Sequence, residues 1–273
     1  MMWLLLLTLP CLGSSVPLTS DPGPGTELVG IMGGHDASKG VWPWNVGLWF
    51  WNETELDWDL ICGGSLIDPQ WVLTAAHCIP ETNPKPQHFM VELGAVRPSW
   101  RDIVLVASII LHPEHRDENG IPQADVALLK LVASVRPSNL IKWISLPPAY
   151  SAFPPGTRCW VTGWGRIGPE EPLPEPYNLQ EVLVPIVADE TCRQQYLSIG
   201  FVVKDDMLCV GSPGQGACKG DSGGPLVCKW NHIWVQVGVV SWGEGCGLPN
   251  FPAVFARVTS YLPWIRHHIH SSP

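Results

Sequence analysis

The run Gly220-Asp221-Ser222-Gly223-Gly224-Pro225 sets a serine among glycines that allow close backbone approach, so a substrate carbonyl can meet both the hydroxyl and neighbouring amide N–H groups. A serine hydroxyl is a weak nucleophile. It needs an adjacent base, and that base needs a third group to fix its tautomer. His77, in Thr74-Ala75-Ala76-His77-Cys78, offers the imidazole, and Asp125, heading the apolar run 125–130, offers the carboxylate. Alone, His77 or Asp125 reads as a structural residue; with the serine they point to acyl transfer. His112 and His115 bracket Pro113-Glu114 but have no third ligand, so neither a metal nor another cofactor is expected. His267, His268 and His270, with Arg266, read as cations that complement the end of a helix dipole.

These groups must be held by a mostly β scaffold. Of 273 residues, 45% are hydrophobic and 15% charged, which excludes dominant disorder. The 28 Pro and 27 Gly are too many for a helix bundle and carry no Gly-X-Y period, so they mark turns between short strands. Strands are expected over 72–75, 89–93, 103–111, 126–131, 159–162, 182–187, 234–240 and 253–258. A Pro-rich stretch at 146–156 splits them into two comparable sets, hence two all-β units. After Thr259 and Ser260, either able to cap a helix, Leu262, Ile265 and Ile269 recur at helical spacing. Pro263 is then expected in the first turn, and the helix on the second unit. The net charge of −9 argues against a nucleic-acid partner.

Residues 1–10 form an apolar run too short to span a bilayer, followed by Gly13, Ser14 and Ser15; this reads as a signal peptide over 1–15. No later run reaches the roughly 18 apolar residues of a membrane span, so secretion is expected. Cys11 falls in the leader, leaving eight cysteines in a compartment where disulfides persist. Asn52-Glu53-Thr54 is a glycosylation sequon. Trp49, Phe50, Trp51 and Trp58 border an extended loop, as packing aromatics or as an oligomer or substrate surface.

The His77, Asp125 and Ser222 segments, in that order, resemble those of the trypsin-fold serine proteases, and the likeness runs from Ile31 to the terminal helix. The resemblance implies an all-β fold of two six-stranded antiparallel β-barrels with a C-terminal α-helix, the first barrel over 31–147 and the second with the helix over 148–273. It makes Ser222 the nucleophile, His77 the general base and then acid, and Asp125 the orienting carboxylate, with Gly220 and Ser222 amides as the oxyanion hole. These roles belong to the family's shared mechanism and are carried over by resemblance. Eight cysteines allow 105 pairings; the family pattern selects Cys62 with Cys78, Cys159 with Cys228, Cys192 with Cys209, and Cys218 with Cys246. It also implies a propeptide over 16–30, cut so that the Ile31 ammonium pairs with Asp221.

Two departures qualify that pattern. Relatives usually carry Arg or Lys before the cut, whereas this chain reads Glu27-Leu28-Val29-Gly30 with no basic residue in its first thirty positions. The Val29-Gly30 ending is similar to the mast-cell tryptases and mastins, as are Trp42-Pro43-Trp44, Asp68-Pro69-Gln70-Trp71, the loop 169–177 and Tyr261-Leu262-Pro263-Trp264-Ile265. A first cut after Leu28 by a non-tryptic protease, then loss of the dipeptide, is expected. In the specificity pocket, Gly216 stands where trypsin-like members carry aspartate, followed by Ala217; Ser241, Trp242 and Gly243 form the facing wall, and Ala253 makes the pocket shallower. An unpaired Lys or Arg buried there costs several kcal/mol, roughly. Cleavage is therefore expected after uncharged residues, Leu or Met ahead of Phe and Tyr, with Lys219 at the rim. The alternatives are a tryptase-like enzyme cleaving after Arg or Lys, and a weak or inactive protease-fold binding protein. Expected partners are protein or peptide substrates, an activating protease and serpin-type inhibitors. Homo-oligomers and heparin are left open: the chain beyond residue 30 holds all 16 basic residues and, without Asp21 and Glu27, 23 of the 25 acidic ones, a balance of −7.

Overall fold

The computed structural model describes residues 30–80 and 84–271, so the expected leader, Cys11 and the propeptide through residue 29 lie outside the described residues. Short β-branched and aromatic runs form the strands β1 (His35–Asp36), β2 (Asn45–Asn52), β3 (Asp57–Asp68), β4 (Trp71–Thr74), β5 (Phe89–Leu93) and β6 (Ile103–Leu111). They continue with β7 (Arg116–Glu118), β8 (Ile121–Gln123), β9 (Ala127–Leu131), β10 (Arg158–Gly163) and β11 (Gln180–Pro185). The last four are β12 (Met207–Val210), β13 (Pro225–Trp230), β14 (Ile233–Trp242) and β15 (Ala253–Arg257). Two helices, α1 (Asp189–Leu197) and α2 (Val258–Ser271), complete the frame.

The first half closes as expected into a six-stranded barrel, in the order β2-β3-β4-β9-β6-β5. Val46, Leu48, Leu66, Leu73, Phe89, Val91 and Leu128 fill it. Register shifts at Leu48/Trp49 and Leu66/Asp68 bend the long strands around the barrel corners. The β7–β8 hairpin turns through Asn119 and Gly120, both at positive φ, a pairing suited to a tight two-residue turn.

The second half differs from the expected six-stranded barrel. It is a curled seven-stranded sheet, β1-β11-β10-β13-β14-β15-β12, not fully closed. The extra strand is the two-residue β1, laid on the outer edge of β11. Between β11 and β12 only the Ile186–Val210 bridge forms, flanked by Val187 N–H to Cys209 O and Gly211 N–H to Pro185 O. Pro185 has no N–H to offer that seam, and α1 starts at Asp189, so pairing ends there.

Helix α2 starts directly after β15 at Val258, before the expected caps, which puts Pro263 in the second turn rather than the first. Its buried face, Tyr261, Leu262 and Ile265, joins the cluster that fills the first barrel, so the helix ties both halves together rather than resting on the second alone. Buried polar links Ser65 Oγ to Gln236 Oε1 (2.6 Å) and Thr162 Oγ1 to Asn45 Oδ1 (2.8 Å) also cross between the halves. Four disulfides join Cys62–Cys78, Cys159–Cys228, Cys192–Cys209 and Cys218–Cys246, the pairing implied by the resemblance. No helix among the described residues is long and apolar enough to cross a membrane.

Candidate active site

His77 sits on a single 3-10 turn, Ala76–Cys78, anchored by the Cys62–Cys78 disulfide to β3. Its backbone N–H donates to Asp125 Oδ1 (2.9 Å) and its Nδ1 lies 2.7 Å from Asp125 Oδ2. An ionised carboxylate only accepts, so Nδ1 carries the proton shared with Asp125. Asp125 is buried at 2% exposure. Burial pushes its pKa up, but hydrogen bonds from the His77 ring, the Ser241 hydroxyl and the His77 N–H more than offset that and hold Asp125 below the usual carboxylate range. Ala124, just before it, takes a positive φ of 42°, a conformation that costs an alanine about 1–3 kcal/mol and that the β8–β9 connection imposes.

Ser222 belongs to the loop between β12 and β13. Its carbonyl accepts from Gly63 N–H (2.7 Å), which docks the loop on the first barrel. Gly223, at φ 76°, is required there, because a Cβ would stand 2.2 Å from Thr74 Oγ1 and 2.5 Å from Gly63 O. The N–H groups of Gly220 and Ser222 donate to no acceptor among the described residues. Two unpaired donors beside a serine hydroxyl make an anion-stabilising corner.

Asp221 points the other way, into the protein, where it is fully buried and accepts from Gly165 N–H and Cys218 N–H at 2.8 Å each. Burial, only partly countered by those bonds, raises it to about 7. Gly163 and Gly165 form its cradle: a Cβ on Gly163 would stand 2.1 Å from Oδ1. The Ile31 side chain is fully buried, and Met32 O accepts from Gly216 N–H (3.1 Å), which couples the Ile31 segment to the loop leading to Ser222.

Ser222 opens onto a cavity of about 370 Å³ lined by Ala217, Ser241, Trp242, Gly243 and Ala253, with Lys219 and Glu170 among its charged residues. Gly243 and Ala253 face each other, so that a Cβ built on Gly243 would meet Ala253 Cα at 3.6 Å, an ordinary van der Waals contact. Among the described residues Glu170 is the one acid in the lining; it is almost wholly exposed and lies 3.5 Å from Arg166. Gly216 is placed instead on an adjoining cavity of about 150 Å³ that shares Ala217, Gly245 and Ala253 with the first.

Two features of the site have no local signal in the sequence. Ser241 belongs to the pocket wall, yet its hydroxyl donates to Asp125 Oδ2. Tyr196, buried on α1, donates to Pro252 O (2.7 Å) and accepts from Glu244 N–H (3.2 Å), clamping the pocket wall to β15. The remaining histidines are spread over other partners: His112 packs on Tyr261 and Trp264, and His115 Nδ1 meets Gln123 O at 2.9 Å. Cys62 and Cys78 lie beside His77, but their sulfurs are bonded to each other, so they present no thiolates to a metal. Asn52 Oδ1 accepts from the N–H groups of Thr54 and Glu55, turning the sequon at the tip of the β2–β3 hairpin.

Residues 31–265 match the trypsin family model. The chain is 47% identical to a tryptase of Mus musculus, an alignment covering 98% of each protein. It is also 41% identical to serine protease 28 of Mus musculus, over 97% of this chain and 98% of the relative. With a paired imidazole and carboxylate, a serine beside unpaired amide donors and this likeness over nearly its whole length, the chain belongs to the trypsin family of serine endopeptidases, close to the tryptase group.

Proposed function

We propose that the protein is a secreted endopeptidase, made as a zymogen cut before Ile31, that hydrolyses peptide bonds after uncharged side chains. The observation that carries the catalytic reading is the His77–Asp125 pair, on a turn tied by Cys62–Cys78 to the strand whose Gly63 N–H binds Ser222 O, together with the two unpaired amide donors of Gly220 and Ser222. In this reading the Ser222 hydroxyl attacks the scissile carbonyl while His77 Nε2 takes its proton, and the Gly220 and Ser222 N–H groups bind the developing oxyanion. His77 then protonates the leaving amine, and water repeats the sequence on the acyl-enzyme. Asp125 holds the imidazole tautomer and stabilises its cation, and the Ser241 hydroxyl helps keep Asp125 ionised.

The specificity reading rests on the absence of a buried acid among the described residues lining the Ser222 cavity and on the Ala253 methyl in that lining. A medium apolar side chain fits such a pocket without stranding a charge. The activation reading rests on Asp221, a buried carboxylate with amide donors but no cation among the described residues, on the loop whose Gly216 N–H binds Met32 O, next to Ile31. An ammonium released at Ile31 supplies that cation. Secretion and removal of residues 1–15 follow from the leader, and Asn52 is the proposed glycan site.

A positional peptide library on protein whose N-terminus is verified as Ile31 tests the specificity: Leu and Met lead, and a dominant preference for Arg or Lys overturns it. Fluorophosphonate labelling, lost in Ser222→Ala, tests the nucleophile separately.

A further inference from the structure

A cavity of about 520 Å³ shares no lining residue with the Ser222 pocket. It opens between the turn that follows β1 and the loop 94–102 that joins β5 to β6, with Val96 and Leu140 among its apolar lining. Three cations line it: Lys39 on the turn, and Arg97 and Arg101 on the loop. All three are exposed, and none has a carboxylate partner among the described residues. In a chain with 25 acidic residues against 16 basic ones, this cavity is a local reversal of charge.

The nearby carboxylates are held by neutral donors instead. Glu92, buried on β5, accepts from the Ser99 N–H (2.8 Å) and the Ser99 hydroxyl (3.0 Å). Asp36 accepts from the side-chain amides of Asn178 and Gln180. Arg97 Nε donates to Asn178 Oδ1 (2.5 Å), which orients the guanidinium and leaves its two Nη groups without an acceptor among the described residues.

The backbone around these cations is fixed. Ser99 ties the loop to Glu92, Trp100 stacks on Trp49 with ring centres 4.6 Å apart, and Leu179 N–H donates to Val96 O (2.6 Å). Gly94, at φ 62°, is required where the loop begins, because a Cβ would stand 2.3 Å from Leu140 O. Gly40 holds the Lys39 turn to the same segment: a Cβ there would lie 3.3 Å from Asn139 O. A fixed backbone leaves only side chains to be ordered when a ligand arrives.

We propose that this cavity binds an acidic peptide segment of a partner protein, its carboxylates on Arg97, Arg101 and Lys39 and an apolar side chain against Val96 and Leu140. Forked guanidinium groups match carboxylates in two-point contacts. Asp102, the one acid in the lining among the described residues, favours a peptide over a sulfated polysaccharide. Its carboxylate accepts peptide N–H groups and repels a dense row of anions. Binding there needs no contact with Ser222 and is independent of the catalytic reading. A protein tethered in this way presents its other segments to the rest of the molecule at raised effective concentration.

Fluorescence anisotropy with a labelled octapeptide, Gly-Glu-Leu-Glu-Glu-Leu-Glu-Gly, tests the site on Ser222→Ala protein, which keeps the probe intact. The same peptide with every Glu replaced by Gln should bind about tenfold or more weakly. This pair of probes needs no change at the cavity, so a folding defect cannot mimic the result. Arg97→Gln and Arg101→Gln should each weaken the acidic probe about fivefold, and together about twentyfold or more. Lys229→Gln, on β13 and outside the cavity lining, removes the same charge and should leave the affinity within about twofold. An equal loss in Lys229→Gln, or equal binding of the Gln probe, reduces the effect to diffuse attraction and overturns the proposal. So does binding of the acidic probe that survives the paired Arg substitutions, or no binding at all. A heparin octasaccharide that needs Arg97 and Arg101 while the acidic peptide does not bind would make this a polysaccharide site, and also overturns it.

Discussion

Ser241 shows how much one hydroxyl contributes when the group it touches is buried and charged. Asp125 accepts from the His77 ring, the His77 N–H and Ser241, and burial would raise its pKa were those donors removed. Ser241→Ala deletes one donor while leaving the fold of β14 intact, so kcat should fall about fivefold, equivalent to roughly 1 kcal/mol of a hydrogen bond to a charged group. Steady-state kinetics on one peptide decide it, and an unchanged kcat would show that the hydroxyl only packs. Asp125→Asn acts on the tautomer itself, and a drop in kcat of about 10⁴-fold is expected. Asn52 is independent of this network. Asn52→Gln should abolish an endoglycosidase-sensitive mobility shift of secreted protein while leaving peptide hydrolysis unaltered; a shift that persists would place the glycan elsewhere.

Elements decide whether such residues meet. Tyr196 of α1 joins Pro252 and Glu244, so Tyr196→Phe should let the pocket wall drift and raise KM for a small peptide by more than it lowers kcat. An effect confined to kcat would put the tyrosine in a different role. This clamp also marks the limit of what the sequence discloses. The His77, Asp125 and Ser222 segments each carry a local pattern and are found without a structure. The limits of β5 and β6 are also readable, because their apolar runs end in polar or turn residues. Ser241 gives no hint that it reaches Asp125, 116 residues away, since that contact exists only once β14 of the second sheet meets the segment that leads into β9 of the first barrel. Strands β2 and β3 are masked by Gly47, Gly63 and Gly64, which interrupt the β pattern because Leu60, Gly224 and Val72 come too close for a side chain. The early start of α2 is invisible for another reason: Val258 reads as the last strand residue, and only the docked Tyr261, Leu262 and Ile265 face shows that the helix has begun.

At the scale of the whole molecule, the proposed cleavage before Ile31 would tie the charge of Asp221 to stability. In the uncut chain its carboxyl is buried and pushed up to about 7, against an unfolded value of about 3.9. Between those values the folded chain binds more protons than the unfolded one, so its stability declines as pH rises from about 4 through about 7. The neutral acid thus stabilises fully below about pH 4, and roughly 4 kcal/mol of that is lost once it ionises. Asp221→Asn, neutral at every pH, should flatten the decline. For uncut protein, the Tm of the variant relative to the natural chain should rise by roughly 5 to 10 °C between pH 4 and pH 8. Cleavage before Ile31 reverses the sign. The new ammonium favours the ionised carboxylate, so the cut form should hold its stability at neutral pH and lose it on acidification, and there Asp221→Asn should destabilise. Scanning calorimetry of cut and uncut protein, each with and without the substitution, separates the two regimes. A Tm offset that is independent of pH in both forms would mean that Asp221 neither titrates in the uncut chain nor pairs in the cut one, and the proposed activation would fall with it.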